Sequence, residues 1–174
     1  MKKKLKEIFG IIKYLAAVFA LAFIINNFII VNAVVISGSM ESTVMTDSRI
    51  IGSRLSYAVG EPQRFDIILF KFPDDETREP FLKRIIGLPG DKVEIKDGKV
   101  YINDSDIPLD DSFVNEEPRG NYGPFTVPEG SYFVLGDNRN CSHDSKNWRN
   151  TFVSKDKILG KVYASYFPKP KLFN

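Results

Sequence analysis

The sequence predicts a mainly β domain held behind one N-terminal membrane-spanning helix, and three observations predict it. Residues 14–31 are nearly free of charge and follow a cluster of lysines. Short apolar or alternating runs then recur to the end of the chain, separated by Gly and Pro. No stretch after residue 32 carries a sustained 3.6-residue period with caps at its ends.

The basic cluster comes first. Within residues 1–14, Lys2, Lys3, Lys4, Lys6 and Lys13 face only Glu7, a surplus of +4, in a chain whose 24 Lys+Arg and 22 Asp+Glu leave +2 overall. The other 160 residues therefore carry 19 basic and 21 acidic side chains. That balance excludes the basic stripe nucleic-acid binding needs, and makes a membrane surface the partner of the lysines. The run Tyr14–Ile25, interrupted by Asn26-Asn27 and resumed over Phe28–Val31, approaches the ~20 apolar residues that cross a bilayer. Lysines before it, with no comparable cluster directly behind, place residues 1–13 in the cytoplasm, 14–31 in the membrane and 32–174 outside as one domain. A cleavable signal peptide is the rival, because Val31-Asn32-Ala33 resembles a processing site. The apolar stretch, however, outruns an h-region of ~7–15 residues. A buried core helix is the second rival, opposed by the flanking lysines and the N-terminal position.

Strands follow in order at Ala33–Ile36, Arg49–Arg54, Asp66–Phe70 and Phe81–Ile86. Val93–Lys96 alternates with period 2 and turns through Asp97-Gly98, a two-residue hairpin signal, into Lys99–Ile102. Ser131–Leu135 and Ile158–Tyr166 complete the set. About 140 residues suffice for one core. Residues 103–125, with Asp104, Asp106, Asp110, Asp111, Glu116 and Glu117, read as a polar excursion on the surface.

Composition narrows the chemistry. The single cysteine, Cys141, cannot close an intrachain disulfide, and one His with one Cys cannot build the usual structural zinc site. A histidine base would have to be His143; lysine is the other base a hydrolase can recruit. Ser37-Gly38-Ser39-Met40 lets backbones approach closely at Gly38, although Ser-Gly-Ser is also what an ordinary turn looks like. Phe81–Gly87 is more unusual. Lys83 alternates onto the face of Phe81 and Ile85, and Arg84 onto that of Leu82 and Ile86, so one of two adjacent cations must face apolar surroundings. Either both snorkel to solvent along an edge strand, or Lys83 is desolvated and supplies a neutral amine able to take a proton from a serine hydroxyl.

Ser37-Gly38-Ser39-Met40, Asp66-Ile67-Ile68-Leu69-Phe70, Lys83-Arg84-Ile85-Ile86-Gly87-Leu88-Pro89-Gly90-Asp91, and Gly136-Asp137-Asn138-Arg139 with Ser142-His143-Asp144-Ser145 resemble, in order, the motif boxes of the bacterial type I signal peptidases. The resemblance covers about residues 33–146 and implies the family's fold of coiled antiparallel β-sheets. It also implies a Ser/Lys dyad that removes signal peptides from exported preproteins with Ala-x-Ala sites. Ser39 would be the nucleophile and Lys83 the general base. The Ser37 hydroxyl and the Ser39 backbone N–H would receive the oxyanion. Ser142 would orient the lysine amine, while Asp137, Arg139 and Asp144 would hold the last loop beside the dyad. Ala33 and Val35, with Phe81 and Leu82, would line a groove that takes substrate by strand addition. His143 and Cys141 fall at variable positions and read as solvent-facing loop residues.

No cofactor or metal is implied. The partners implied are preproteins, membrane lipid and the secretion translocon, with the enzyme in the bacterial cell membrane. Met40, Val44 and Met45, so soon after the anchor, are expected to touch lipid. Three residues depart from the family's pattern: Ser42 stands at the usual proline, Phe65 at a common glycine, and Lys146 at an arginine whose bidentate pairing lysine cannot reproduce. The acidic stretch 103–125 reads as a variable insertion. A non-enzymatic relative that assists surface-fibre assembly is the alternative, which retention of Ser39 and Lys83 opposes. A self-cleaving repressor would need a DNA-binding domain where the anchor stands.

Overall fold

The computed structural model describes residues 2–75, 77 and 79–173; Met1 and Asn174, the outer ends of the expected segments 1–13 and 32–174, lie outside them. Helix α1 (Lys2–Ile24) continues through a wider helical turn, Ile25–Ile29, and gives way to strand β1 (Ile30–Val34). The apolar stretch Lys6–Ile29 is long enough to cross a membrane, and nothing in the fold covers it. The helical segment thus begins earlier and ends earlier than the 14–31 of the apolar run. Ile30 and Val31 leave it because they pair with Ser53 and Gly52, and Val31 is fully buried. Strand pairing overrides the continuity of the apolar composition.

The rest is β2 (Arg49–Ser53), a single helical turn α2 (Ser56–Val59), β3 (Ile67–Phe70), β4 (Phe81–Gly87), β5 (Lys92–Lys96), β6 (Lys99–Ile102), β7 (Tyr122–Thr126), β8 (Ser131–Leu135), β9 (Val153–Ser154), β10 (Ile158–Phe167) and β11 (Lys171–Leu172). Every adjacent pair is antiparallel. One sheet runs β1-β2-β10-β3-β4-β8-β9, with β11 also on β10; a smaller one runs β6-β5-β7. Long β10 breaks register twice against β2 and once against β3, which curls the sheet. At Gly52 a Cβ would stand 2.0 Å from the Lys161 carbonyl oxygen, so only glycine lets β2 and β10 close there.

Strand β4 is central, between β3 and β8, and six of its seven residues are buried. Both of its faces are covered, so Lys83 and Arg84 are both buried and neither snorkels. Beyond β4 the chain turns through Leu88–Asp91 into the smaller sheet. The Asp91 carboxylate fixes this corner by accepting from Leu88 N (2.7 Å), Arg64 Nη2 (3.0 Å) and Asn103 Nδ2 (2.9 Å).

The stretch 103–125 is more than an excursion. Its last residues enter β7, and Leu109, Phe113, Tyr122 and Phe125 pack on the core formed by Ile86, Val93 and Phe133. Its apolar residues anchor it, while Asp104, Asp106, Asp110 and Glu117 are exposed, Asp111 pairs with Arg139 and Glu116 accepts from Asn140. The expected lipid contact also changes: Met40 and Val44 are core residues, and of the three only Met45 is exposed.

Candidate active site

Ser39 sits in a single tight turn, Gly38–Met40, a short extended link after β1. Two anchors fix that turn. The Met40 side chain is fully buried with Val35, Val44 and Leu82, and Asn138 clamps the backbone, its Nδ2 donating to the Gly38 carbonyl (2.9 Å) and its N–H to the Ser39 carbonyl (3.1 Å). Lys83, on β4, brings Nζ to 2.5 Å from Ser39 Oγ. Ser37 Oγ lies 3.3 Å from the same oxygen. Ser39 is 8% exposed and Lys83 3%, so the pair opens to solvent only through the serine, with exposed Ser37 at the rim.

Electrostatics separates the two buried cations of β4. Arg84 forms a two-pronged pair with Asp137, Nε–Oδ1 2.9 Å and Nη2–Oδ2 2.6 Å, and donates from Nη1 to the Phe65 carbonyl (2.9 Å). No ion pair among the described residues includes Lys83. Burial pushes its amine down from 10.5 to about 8, against the attraction of Asp144; Lys146 adds to the fall and Asp137 opposes it. Those two carboxylates are already engaged, Asp144 by Lys146 and Asp137 by Arg84.

The loop after β8 forms the other wall. Gly136 is required where it stands: a Cβ there would lie 2.2 Å from Ser142 Oγ and 2.3 Å from the Ser39 carbonyl oxygen. Asp144, fully buried, accepts from Gly136 N (3.1 Å) and from Lys146. The Lys146 ammonium reaches both Asp144 oxygens at 3.0 Å and the Arg139 and Ser142 carbonyls at 3.2 Å. Lysine thus engages both carboxylate oxygens after all, as a point charge, and gathers the loop through two carbonyls besides. Arg139 is buried and pairs with Asp111 (2.7 Å) from the acidic stretch.

Not every expected contact is made. Ser142 Oγ is buried beside the Ser39 turn but has no hydrogen-bond partner among the described residues, so it does not bond the Lys83 amine here. Val35 and Leu82 are core residues in one apolar cluster, against which Ala33 packs partly buried. Phe81 packs elsewhere, stacked on Phe72 (4.5 Å between centroids) and edge-on to Trp148, with the Lys83 ammonium 5.6 Å from its ring centre. The four expected groove residues therefore belong to two surfaces that meet at Lys83. His143 and Cys141 are exposed, with the imidazole 6.4 Å from the Phe72 and Trp148 rings. Ser42 and Phe65 both have positive φ, 84° and 75°. Proline cannot adopt the first, whereas the second is the region glycine occupies without cost.

Asn138, Gly136 and Phe113 are site residues that sequence reasoning did not single out. The first two stand inside a motif box, which was a signal; their partners lie 100 residues away and were not visible. Phe113 had no signal. Its ring lies 4.1 Å from the Arg84 guanidinium and 5.9 Å from that of Arg139, and its carbonyl accepts from Ser42 Oγ at 3.2 Å. Among the described residues, no group of acidic, His and Cys side chains could hold a metal ion.

With this geometry in place, residues 8–167 match the profile of the family described as signal peptidase, peptidase S26. The chain belongs to that family. A probable signal peptidase I-2 of Synechocystis is 39% identical over 87% of this chain and 70% of its own length. A signal peptidase I of Bacillus licheniformis is 33% identical over 95% of this chain and 91% of its own. The crystal structure of a signal peptidase I from Enterococcus faecalis superposes with a TM-score of 0.50 at 36% identity, covering 59% of this chain and 97% of that one. The signal peptidase fold of curled antiparallel sheets is therefore the fold of this chain. It is a serine endopeptidase acting on preproteins that carry signal peptides, and its N-terminal apolar helix makes it a membrane-anchored one.

Proposed function

We propose that Ser39 and Lys83 are the catalytic dyad. The observation that carries this is a buried lysine amine, without an ion-pair partner among the described residues, 2.5 Å from the hydroxyl of a serine that keeps only a small opening to solvent. In its neutral form the amine accepts the Ser39 proton as Oγ attacks the scissile carbonyl, then returns it to the departing amine; water repeats the cycle on the acyl-enzyme. The Ser39 backbone N–H and the Ser37 hydroxyl are the donors for the oxyanion, preorganised because Asn138 holds both carbonyls of the turn. Asp137, Arg139 and Asp144 hold the walls, and Ser142 orients the amine once substrate has closed the site.

Substrate adds as a strand beside β1, whose outer edge is unpaired in the sheet order. Substrate side chains meet Ala33 and the apolar cluster of Val35 and Leu82, a lining that suits the small residues of Ala-x-Ala sites, and Phe81 bounds the lysine end. The lysine-rich start of α1 faces the cytoplasm, the β domain lies outside the cell membrane, and exposed Ile36 and Met45 lie against lipid.

The test is cleavage of an Ala-x-Ala preprotein by the full-length protein in detergent. Product beginning just after the site with wild type, and none with Ser39→Ala or Lys83→Ala, is expected. Cleavage by either variant at the wild-type rate would overturn the assignment.

A further inference from the structure

Beside the Ser39 turn, on the wall formed by the loop after β8, is a depression of about 730 Å³ lined by Arg119, Tyr122, Arg139, Lys146 and the loop Asn140–His143. Among the described residues, no acidic side chain lines it. It adjoins the Ser39 turn, because Ser142 is part of its wall and both the Ser142 hydroxyl and the Ser39 carbonyl flank Gly136, within 2.3 Å of where a Cβ there would stand. It is also preformed. Asn140 knits its two sides together, accepting from Arg119 N (3.0 Å) and donating from Nδ2 to the Glu117 carbonyl (3.0 Å) and the Glu116 carboxylate (2.6 Å).

The chemistry sets which part of a substrate reaches this side. The amine released by cleavage must meet the Lys83 ammonium to take its proton, so the chain after the scissile bond leaves past Lys83, toward Ser142, and not back over Ala33 and Val35. Of the three cations in the wall, Arg139 is paired with Asp111 and Lys146 with Asp144. Arg119 is exposed, and among the described residues only its backbone is bonded.

We infer that this depression is the subsite for the first residues of the mature protein, and that Arg119 makes it prefer an acidic side chain there. The inference rests on the dyad assignment above and deepens it by naming what the product side selects. The occupant is an extended peptide, its backbone running over the loop Asn140–His143 and a carboxylate meeting the Arg119 guanidinium at the rim.

Two measurements test it, and their failures are distinguishable from failure of the dyad. In the first, peptides that share one Ala-x-Ala half carry Glu, Gln or Lys in turn at the second, third and fourth residues after the cut. At one of these positions wild type should prefer Glu over Lys by about two- to five-fold in kcat/KM, the range of an exposed charge pair, with less preference at high salt. Arg119→Glu should reverse the order. Equal cleavage of all three at every position, by an enzyme that cuts the Gln peptide and loses that cut in Ser39→Ala, would overturn the subsite and leave the dyad standing. No cleavage of any peptide would overturn both.

The second measurement needs no activity. Cys141, the chain's single cysteine, is exposed in the wall of the depression, so its alkylation rate reports occupancy. In full-length Ser39→Ala a peptide spanning the cut should slow alkylation, and a peptide ending at the cut should not. Equal protection by both, or by neither at saturating peptide, would overturn the proposal.

Discussion

Lys83 and Arg84 are neighbours on one strand, both under 5% exposed, and the structure treats them in opposite ways. Arg84 has a carboxylate of its own, two hydrogen bonds to it, a carbonyl and an aromatic ring. Lys83 has a serine. An arginine stays charged at any accessible pH, so burying one requires the partner that Asp137 provides. A lysine can lose its proton, and a buried one left without a counterion does so near neutrality. The strand therefore holds one cation as a strut and the other as the proposed base, and the difference lies in who receives a carboxylate.

Removing the base has the largest effect. Lys83→Ala should lower kcat by about 10²–10⁴, the range general-base catalysis supplies, with the fold intact by circular dichroism. In wild type the same amine should make kcat rise with pH through about 8 and level off above it. A profile flat between pH 6 and 9 would mean that Lys83 is not the titrating group.

Removing the strut should act on stability first. Asp137→Asn leaves the Arg84 charge buried and half-paired, with a cost of roughly 3–5 kcal/mol read from urea unfolding. A loss below about 1 kcal/mol would mean that Arg84 finds water or another acceptor.

The comparison sharpens if the uncompensated cation is made apolar. A fall of the Lys83 amine from 10.5 to about 8, at about 1.4 kcal/mol per unit, costs the folded state roughly 3 kcal/mol. Its folded value is the lower one, so the unfolded chain binds the extra proton between pH 8 and 10.5, and stability rises with pH across that window. Lys83→Met should therefore be more stable than wild type by up to about 3 kcal/mol at pH 7, the gap closing by pH 10.5. Constant separation of the two unfolding curves over that range would refute the linkage.

Ser142→Ala is the smallest change. Its buried hydroxyl lacks a hydrogen-bond partner among the described residues, so removal should leave stability unchanged or raise it by about 1 kcal/mol. If the hydroxyl orients the amine in the substrate complex, kcat should still fall, by no more than about 10²-fold. Unchanged kcat would assign Ser142 to packing alone.

Some of this was legible in the residues. Strands β2, β3, β4, β5, β6, β8 and β10 were visible because short runs of branched and aromatic residues stood between Gly and Pro breaks. Strands β7, β9 and β11 were not. The first hides its Tyr and Phe among Gly and Pro, and the other two are only two residues long, paired by their neighbours and not by their own pattern. Within the site, Ser39 and Lys83 stood out as residue types in a specific order of motifs. The anchoring of 103–125 did not, because Asp104 through Glu117 dominate its composition while four scattered apolar residues hold it to the core.

What the sequence determined by itself is local and additive: an apolar segment behind lysines, a β-rich remainder, one histidine and one cysteine that leave lysine as the other base a hydrolase can recruit, and the ordered boxes of a family. Only the tertiary structure decided which cation on β4 has a carboxylate, that the Ser39 turn hangs from Asn138, that Lys146 gathers the last loop, and that Val35 and Leu82 are buried core residues. Each of these depends on two residues far apart in the chain meeting across a curled sheet. A one-dimensional pattern records which side chains are present, whereas proton affinity and pocket shape are set by what surrounds them.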